Sequence, residues 1–305
     1  MWFKNLQIYR LTQPWTLSAQ ALDAQLSHHP LRACGAYELQ TQGWASPRDD
    51  GALVCALNGQ LLIKLGAEKK LLPSSVIKES VRTKSVELER TQGFKLGRKQ
   101  MRDLKNQITD ELLPRAFNVR RNTWAWIDVK NSRLIVDAGS PSKADEVIGM
   151  LNKSLNDLSL ERVDTAVSPT IAMTAWLGAT DAKNGVPHGF TIDQETELQS
   201  PIDEKATVRF VRHSLEPADV QRHITGGKQC TRLALTWANR VSFVLTESFT
   251  IKRISPVDVV KEGSESAPQN DEERFDADTI MMTGELAGLI DDLIEGLGGV
   301  AAQPK

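Results

Sequence analysis

The residues with chemistry to offer are mostly charged, and they are unevenly placed along the chain. Between Ser75 and Arg121 twelve basic residues stand against six acids, whereas between Asp258 and Glu295 twelve acids stand against Lys261 and Arg274 alone. Lys78, Arg82, Lys84, Lys95, Arg98, Lys99, Arg102, Lys105, Arg115 and Arg120 are of the type that contacts phosphate. Each phosphate neutralised in this way releases counterions and makes binding salt-dependent. The same residues would serve equally as a solvated helix face, with i,i+4 partners such as Glu79 or Asp103. Phe94 and Phe117 fall in the same basic segment. An apolar side chain on a loop tip can wedge against bases or pack on a neighbouring subunit, and burial under the arm is the plain alternative.

A second basic cluster comprises Arg209, Arg212 and His213, followed by Arg222, His223 and Lys228. On a regular strand Arg209 and Arg212 point to opposite faces, so they share one face only if a bulge intervenes. Asp271, Glu272, Glu273, Asp276 and Asp278 could hold a divalent cation, as in a nuclease, or simply form the acidic first turn of a helix. Thr225-Gly226-Gly227-Lys228 lacks the spacing of a phosphate loop, and Gln229 stands where that motif needs a hydroxyl. His28-His29 has no carboxylate or cysteine at metal-ligand spacing. No G-x-S-x-G or H-E-x-x-H motif occurs, so no enzyme, metal or other cofactor is expected.

The 305 residues carry a formal net charge of −2, so a polyanion-binding surface would have to be segregated onto one face. Cys34, Cys55 and Cys230 are scattered and odd in number, which reads as buried thiols in a reducing compartment. The first residues lack the pattern of a signal peptide, and no apolar run approaches the ~20 residues of a membrane span. A cytoplasmic protein is expected.

The elements that must position these groups can be read along the chain. Leu6 to Leu11 is a strand, Ser18 caps a helix through Leu26, and Ala52–Leu57 with Leu61–Leu65 flank an Asn58-Gly59 hairpin turn. From Ser75 to about Leu113 two helices are joined by a turn containing Gly93 and Gly97, and Pro114 ends the second. Trp124 to Val136 is a hairpin, followed by a helix capped by Ser142 and running through Leu155. Ile171–Trp176 and Gly189–Ile192 read as short strands, Lys205–His213 as a strand, and Glu216 to Ile224 as a helix. A hairpin turns at Ala238-Asn239, a polar linker spans Lys261 to Glu273, and a helix runs from about Asp276 to Leu297. Its stripe of Ile280, Leu286, Leu289, Ile290, Leu293 and Leu297 reads as core or dimer contact. The whole is an α+β fold with an inserted helical arm.

Particular residues carry a resemblance beyond this pattern. Met1-Trp2-Phe3-Lys4-Asn5-Leu6 with Tyr9-Arg10-Leu11, Leu72-Pro73-Ser74 with Val76-Ile77-Lys78, and Leu112-Leu113-Pro114-Arg115-Ala116-Phe117 are three such stretches. The most specific is Arg274-Phe275-Asp276-Ala277-Asp278, continuing through Met282-Thr283-Gly284-Glu285-Leu286 to Leu293-Ile294-Glu295-Gly296-Leu297-Gly298-Gly299. From end to end the chain resembles the recombination-associated protein RdgC family.

The resemblance implies an elongated, multi-part subunit with antiparallel sheets flanked by helices, closing as a ring-shaped homodimer around double-stranded DNA. It implies nucleoid association, binding without sequence preference, and restraint of RecA-promoted recombination. The parts would be a central α+β region at 1–72 and 118–163, a basic helical tip at 73–117, a second α+β base at 164–260, and an acidic linker with a terminal helix at 261–305. Phe117 matches the aromatic of the family's Pro-Arg-Ala-Phe motif, near where tips meet, and Arg212 and His213 match positions facing DNA. Phe94 stands where a relative carries a basic residue. Three other readings stay open: a single-strand-binding module stacking bases on Phe94, Phe117 and tryptophans, a metal-dependent nuclease using the acidic cluster, and a protein that engages RecA directly.

Overall fold

The computed structural model describes residues 2–48, 50–179, 185–203, 206–211, 217–257 and 270–301. Its strands are β1 (Asn5–Leu11), β2 (Gln40–Ala45), β3 (Val54–Leu57), β4 (Gln60–Leu71), β5 (Phe117–Asp128), β6 (Arg133–Val136), β7 (Leu160–Arg162), β8 (Phe190–Gln199), β9 (Thr207–Val211), β10 (Gln229–Trp237), β11 (Val241–Thr246) and β12 (Ile251–Pro256). The helices are α1 (Ala19–Leu26), α2 (Ser74–Gln92), α3 (Arg98–Leu112), α4 (Pro141–Ser154), α5 (Pro169–Gly178), α6 (Pro217–Thr225) and α7 (Asp271–Gly296). The fold is mixed α/β, and the expected separate sheets are one sheet of twelve strands, ordered β2-β4-β5-β6-β1-β12-β11-β10-β8-β9, with β3 on β4 and β7 on β1. The named strands pair antiparallel throughout.

Strand β1 joins the two halves. Its Leu6 and Ile8 belong to one core, and its Tyr9 and Leu11 to the other. Burial on both faces leaves no polar alternation, as in any strand covered on both sides. In the first half α1 and α4 cover one face, placing Leu22, Leu26, Val147 and Leu151 against Trp44, Ile63 and Ile127. Helices α5 and α7 cover the opposite face, where Met173, Leu286, Leu289, Ile290 and Leu293 share one core with Leu62 and Trp126 of the first half and Leu233 and Leu245 of the second. In the second half the face turned away from α5 and α7 carries no helix among the described residues, which leaves a bare sheet surface there.

Several local expectations hold for their stated reasons. The Ser18 side chain accepts from the Ala21 amide at 3.1 Å, and the Asn58-Gly59 and Ala238-Asn239 turns use positive φ at both central residues. Others are corrected. Ile171–Trp176 is not a strand but lies inside α5, where the Ser168 side chain caps the Ile171 amide and Pro169 occupies the first turn. Helix α4 starts after Ser140, with Pro141 leading, two residues before the expected Ser142 cap. Helix α7 starts at Asp271 rather than near Asp276, because Asn270 caps the Glu273 amide at 2.8 Å and three acids suit its first turn. Strand β8 runs on from Phe190 to Gln199, well past Ile192, and β5 begins seven residues before Trp124. No helix among the described residues is long and apolar enough to cross a membrane.

The three thiols are free, and burial lifts Cys230 to about 11 while Cys34 is only partly covered. A thiol reagent at neutral pH is expected to modify Cys34 in the native protein and to reach Cys230 only after denaturation, as peptide mass mapping would show.

Candidate nucleic-acid interface

The basic arm is carried at the far end of the β4–β5 ribbon, which β2 flanks along β4 as far as Lys69. β4 and β5 pair without interruption from Gln60↔Asp128 to Leu71↔Phe117, whereas β6 pairs β5 only over Ala125–Asp128. Beyond the ribbon, α2 and α3 close on a small core of Val81, Leu104 and Ile108, flanked by Ile77, Leu88, Leu96, Met101 and Leu112. Gly93 ends α2 in the left-handed region at φ 79°, and the Leu96 amide then donates to Glu89 Oε1 at 3.0 Å, fixing the turn into α3. A 3-10 turn over Leu113–Arg115 returns the chain to β5.

The sequence-predicted cations sort into several groups. Lys78, Arg82, Lys95, Arg98, Lys99, Lys105 and Arg115 are exposed and form no ion pair among the described residues. Arg98, Arg102 and Lys105 recur at i, i+4 and i+7, forming one stripe along α3. Arg102 is also exposed, its nearest carboxylate being neighbouring Asp103 at 4.0 Å. Lys84 instead braces the tip, donating to Glu111 on α3 at 2.6 Å and holding that carboxyl below its ordinary range, with help from Gln107. Arg120 lies on the ribbon, 3.6 Å from the buried Glu68. Phe94 and Phe117 are not buried under the arm: they are 59% and 81% exposed, Phe94 at the tip turn and Phe117 where the ribbon meets the helices.

Strand alternation separates Arg120 from Arg121. Arg120 shares the face of Trp126, on the α7 side, while Arg121 shares the face of Ala125 and Ile127. Arg121, Lys69 and Lys143 line one cleft at the root of the arm, where only Glu146 is acidic. In the second half of the sheet the same face carries Arg209, Arg232 and Arg253 around a concavity of about 640 Å³. Arg209 is thus joined by two arginines that sequence reasoning missed. Arg232 could have been found from the inward alternation of Cys230 and Leu233 about the bulge in β10. Arg253 sits at a bulge in β12 with φ 54°, which no periodicity announces. Arg212 and His213 lie outside the described residues.

The acidic tail has a different task. Asp276 contacts Arg48 at 2.5 Å, Asp291 accepts from Arg133 at 2.5 Å, Glu285 accepts from Arg240, and Asp292 accepts from the Trp237 indole at 2.7 Å. Helix α7 therefore pairs with arginines on its own side of the sheet and leaves the exposed cations of the tip without acidic partners from it. Its apolar stripe is core from Leu286 to Leu297, with Ile280 partly exposed.

The family model described as "Putative exonuclease, RdgC" matches residues 1–300. The chain belongs to the RdgC family. Among similar proteins, a "Recombination-associated protein RdgC" from Janthinobacterium sp. (strain Marseille) is 58% identical over 98% of both chains. Proteins of the same name from Herminiimonas arsenicoxydans and Cupriavidus necator are 55% and 53% identical, covering 99% and 98% of this chain and 100% and 99% of theirs. An RdgC chain of this length thus spans essentially the whole of these relatives, tip included.

Proposed function

We propose that this chain binds duplex DNA without sequence preference, acts as a ring-closing homodimer in the nucleoid, and restrains RecA-promoted recombination. The observation that carries the reading is the group of exposed, unpaired cations on the tip, set apart from the acids of α7. Guanidinium and ammonium groups held this way suit phosphate contact, which positions a protein on DNA and carries no sequence information. Recombination-associated relatives fit a partner of that kind. Ring closure adds topological retention to electrostatic contact. In the test, protein is loaded on linear and on covalently closed circular duplex and then challenged with high salt. Retention on circles with run-off from linear ends supports encirclement, and equal loss from both contradicts it.

Exposed Phe94 and Phe117 favour a second reading, base stacking on single strands. It requires that Phe94→Ala with Phe117→Ala weaken single-strand binding more than charge removal does. The family description raises a nuclease. Our reading is that the chain has no such activity, supported by the contact of Asp276 with Arg48, which engages one carboxylate of the acidic cluster. Incubation of end-labelled duplex with the protein and Mg²⁺ is expected to release no nucleotides. Release that disappears in an Asp276→Ala, Asp278→Ala variant would establish the nuclease instead.

A further inference from the structure

On the bare face of the sheet's second half, three arginines from three strands converge on the concavity between β9 and β12. Arg209 and Arg253 are each held by a hydrogen bond to a carboxylate, and Arg232 lies near one. Arg209 on β9 donates to Glu197 of β8 through Nε rather than through a terminal nitrogen. Arg232 on β10 places its Nε 3.9 Å from the other oxygen of the same Glu197. Arg253 gives only one terminal nitrogen to Glu195, at 2.6 and 2.8 Å from the two oxygens. The side chains are 64%, 44% and 64% exposed, so the guanidinium groups are held in place and reachable.

Glu197 itself is nearly buried, and its Oε1 also accepts from the Thr231 hydroxyl at 3.1 Å. Small side chains, Ala234, Ser242 and Val244, line the floor between the arginines and keep it open. Arg253 holds a left-handed backbone at φ 54°, a conformation that costs an arginine free energy and that it keeps only where the surroundings impose it. The bulge there turns its side chain across the sheet to Glu195 on β8, beyond β11 and β10 in sheet order.

We infer that Arg209, Arg232 and Arg253 form a phosphate cradle that takes successive phosphodiester groups of a DNA backbone. Guanidinium forks match tetrahedral oxyanions through paired N–H donors, and a planar group already fixed by one carboxylate loses little freedom on binding a second anion. Three such groups in one concavity suit a chain of phosphates better than a single one. Glu195 and Glu197 act as positioning residues; with Asp193, which also lines the concavity, they offset the three arginine charges when the cradle is empty, so anion binding there rests on directed N–H donors rather than on excess charge. The inference deepens the duplex-binding reading and rests on it for the source of the phosphates, although free polyphosphate offers the same chemistry.

The test compares wild type, an Arg209→Gln, Arg232→Gln, Arg253→Gln variant, an Arg232→Gln single variant and a tip variant lacking Lys95, Arg98, Lys99 and Arg102. Each is titrated with duplex DNA across a salt series and, separately, with tripolyphosphate by calorimetry. Arg232→Gln guards against misfolding, because Arg232 makes no ion pair closer than 3.9 Å. The cradle predicts that the triple variant loses tripolyphosphate binding and that its log–log salt slope for duplex falls by about 2.7, roughly 0.9 per phosphate contact. Arg232→Gln should show about a third of that change, and the tip variant should still bind tripolyphosphate. Tripolyphosphate binding lost in the triple variant with duplex binding unchanged assigns the cradle to a free polyphosphate ligand. The same loss, in a protein whose wild type binds no duplex, keeps the cradle and removes the DNA reading. Unchanged binding of both ligands by the triple variant overturns the inference.

Discussion

Changing Lys95, Arg98, Lys99 and Arg102 together to Ala is expected to lower duplex affinity on the order of 100-fold near 0.1 M salt and to flatten the log–log salt slope by about 3.6 units, at one phosphate contact for each residue. None of the four holds the tip together: its core is apolar, and its helix–helix ion pair belongs to Lys84 and Glu111. Thermal melting of the variant should therefore match wild type. Lys84→Ala provides the opposite control. Its partners are half-exposed, so its loss is expected to cost at most about 1 kcal/mol of stability and to leave the salt slope nearly unchanged. If the quadruple variant binds as tightly as wild type while Lys84→Ala does not, the tip's charge is structural and its role as a DNA surface is wrong.

The second large effect comes from packing. Ile108 is 1% exposed in a tip core whose other buried members are only Val81 and Leu104. Ile108→Ala is expected to cost about 2–5 kcal/mol, the range for deleting most of a buried aliphatic side chain. A core this small has few neighbours to absorb such a loss, whereas the sheet and α7 share a much larger one. The tip should therefore melt separately. Limited proteolysis should cut within residues 74–112 while the sheet and α7 remain intact, and duplex affinity should fall with the loss of helical circular dichroism. One cooperative transition, shifted as a whole, would show instead that tip and body fold as a unit.

What was legible in the sequence tracks the range of the interactions involved. The two basic helices, their Gly93 turn and the Asn58-Gly59 and Ala238-Asn239 hairpins depend on near neighbours, and all stand where propensity puts them. The ribbon was harder to see. The polar run of β5 from Asn118 to Asn122 gains its strand structure from pairing with β4, roughly fifty residues away. Ile171–Trp176 shows the converse limit, since a short apolar run fits strand and buried helix alike, and only the Ser168-Pro169 start distinguishes them. Charge segregation was visible as blocks, but its cause was not. The acids of α7 meet Arg48, Arg133 and Arg240 from three separate parts of the chain. The convergence of Arg232 and Arg253 on Arg209 depends on sheet order and on a bulge, neither of which leaves a local signature.

If cations on the tip and the bare sheet face bind DNA through its backbone phosphates, affinity must depend on salt and not on base sequence. The sharpest test is the affinity for two duplexes of equal length and unrelated sequence, measured from about 50 to 200 mM salt. Both duplexes should fall on one steep line, with a slope of about −5 or steeper. A shallow line, or a separation of about tenfold or more between the two sequences at every salt concentration, would contradict phosphate-based binding.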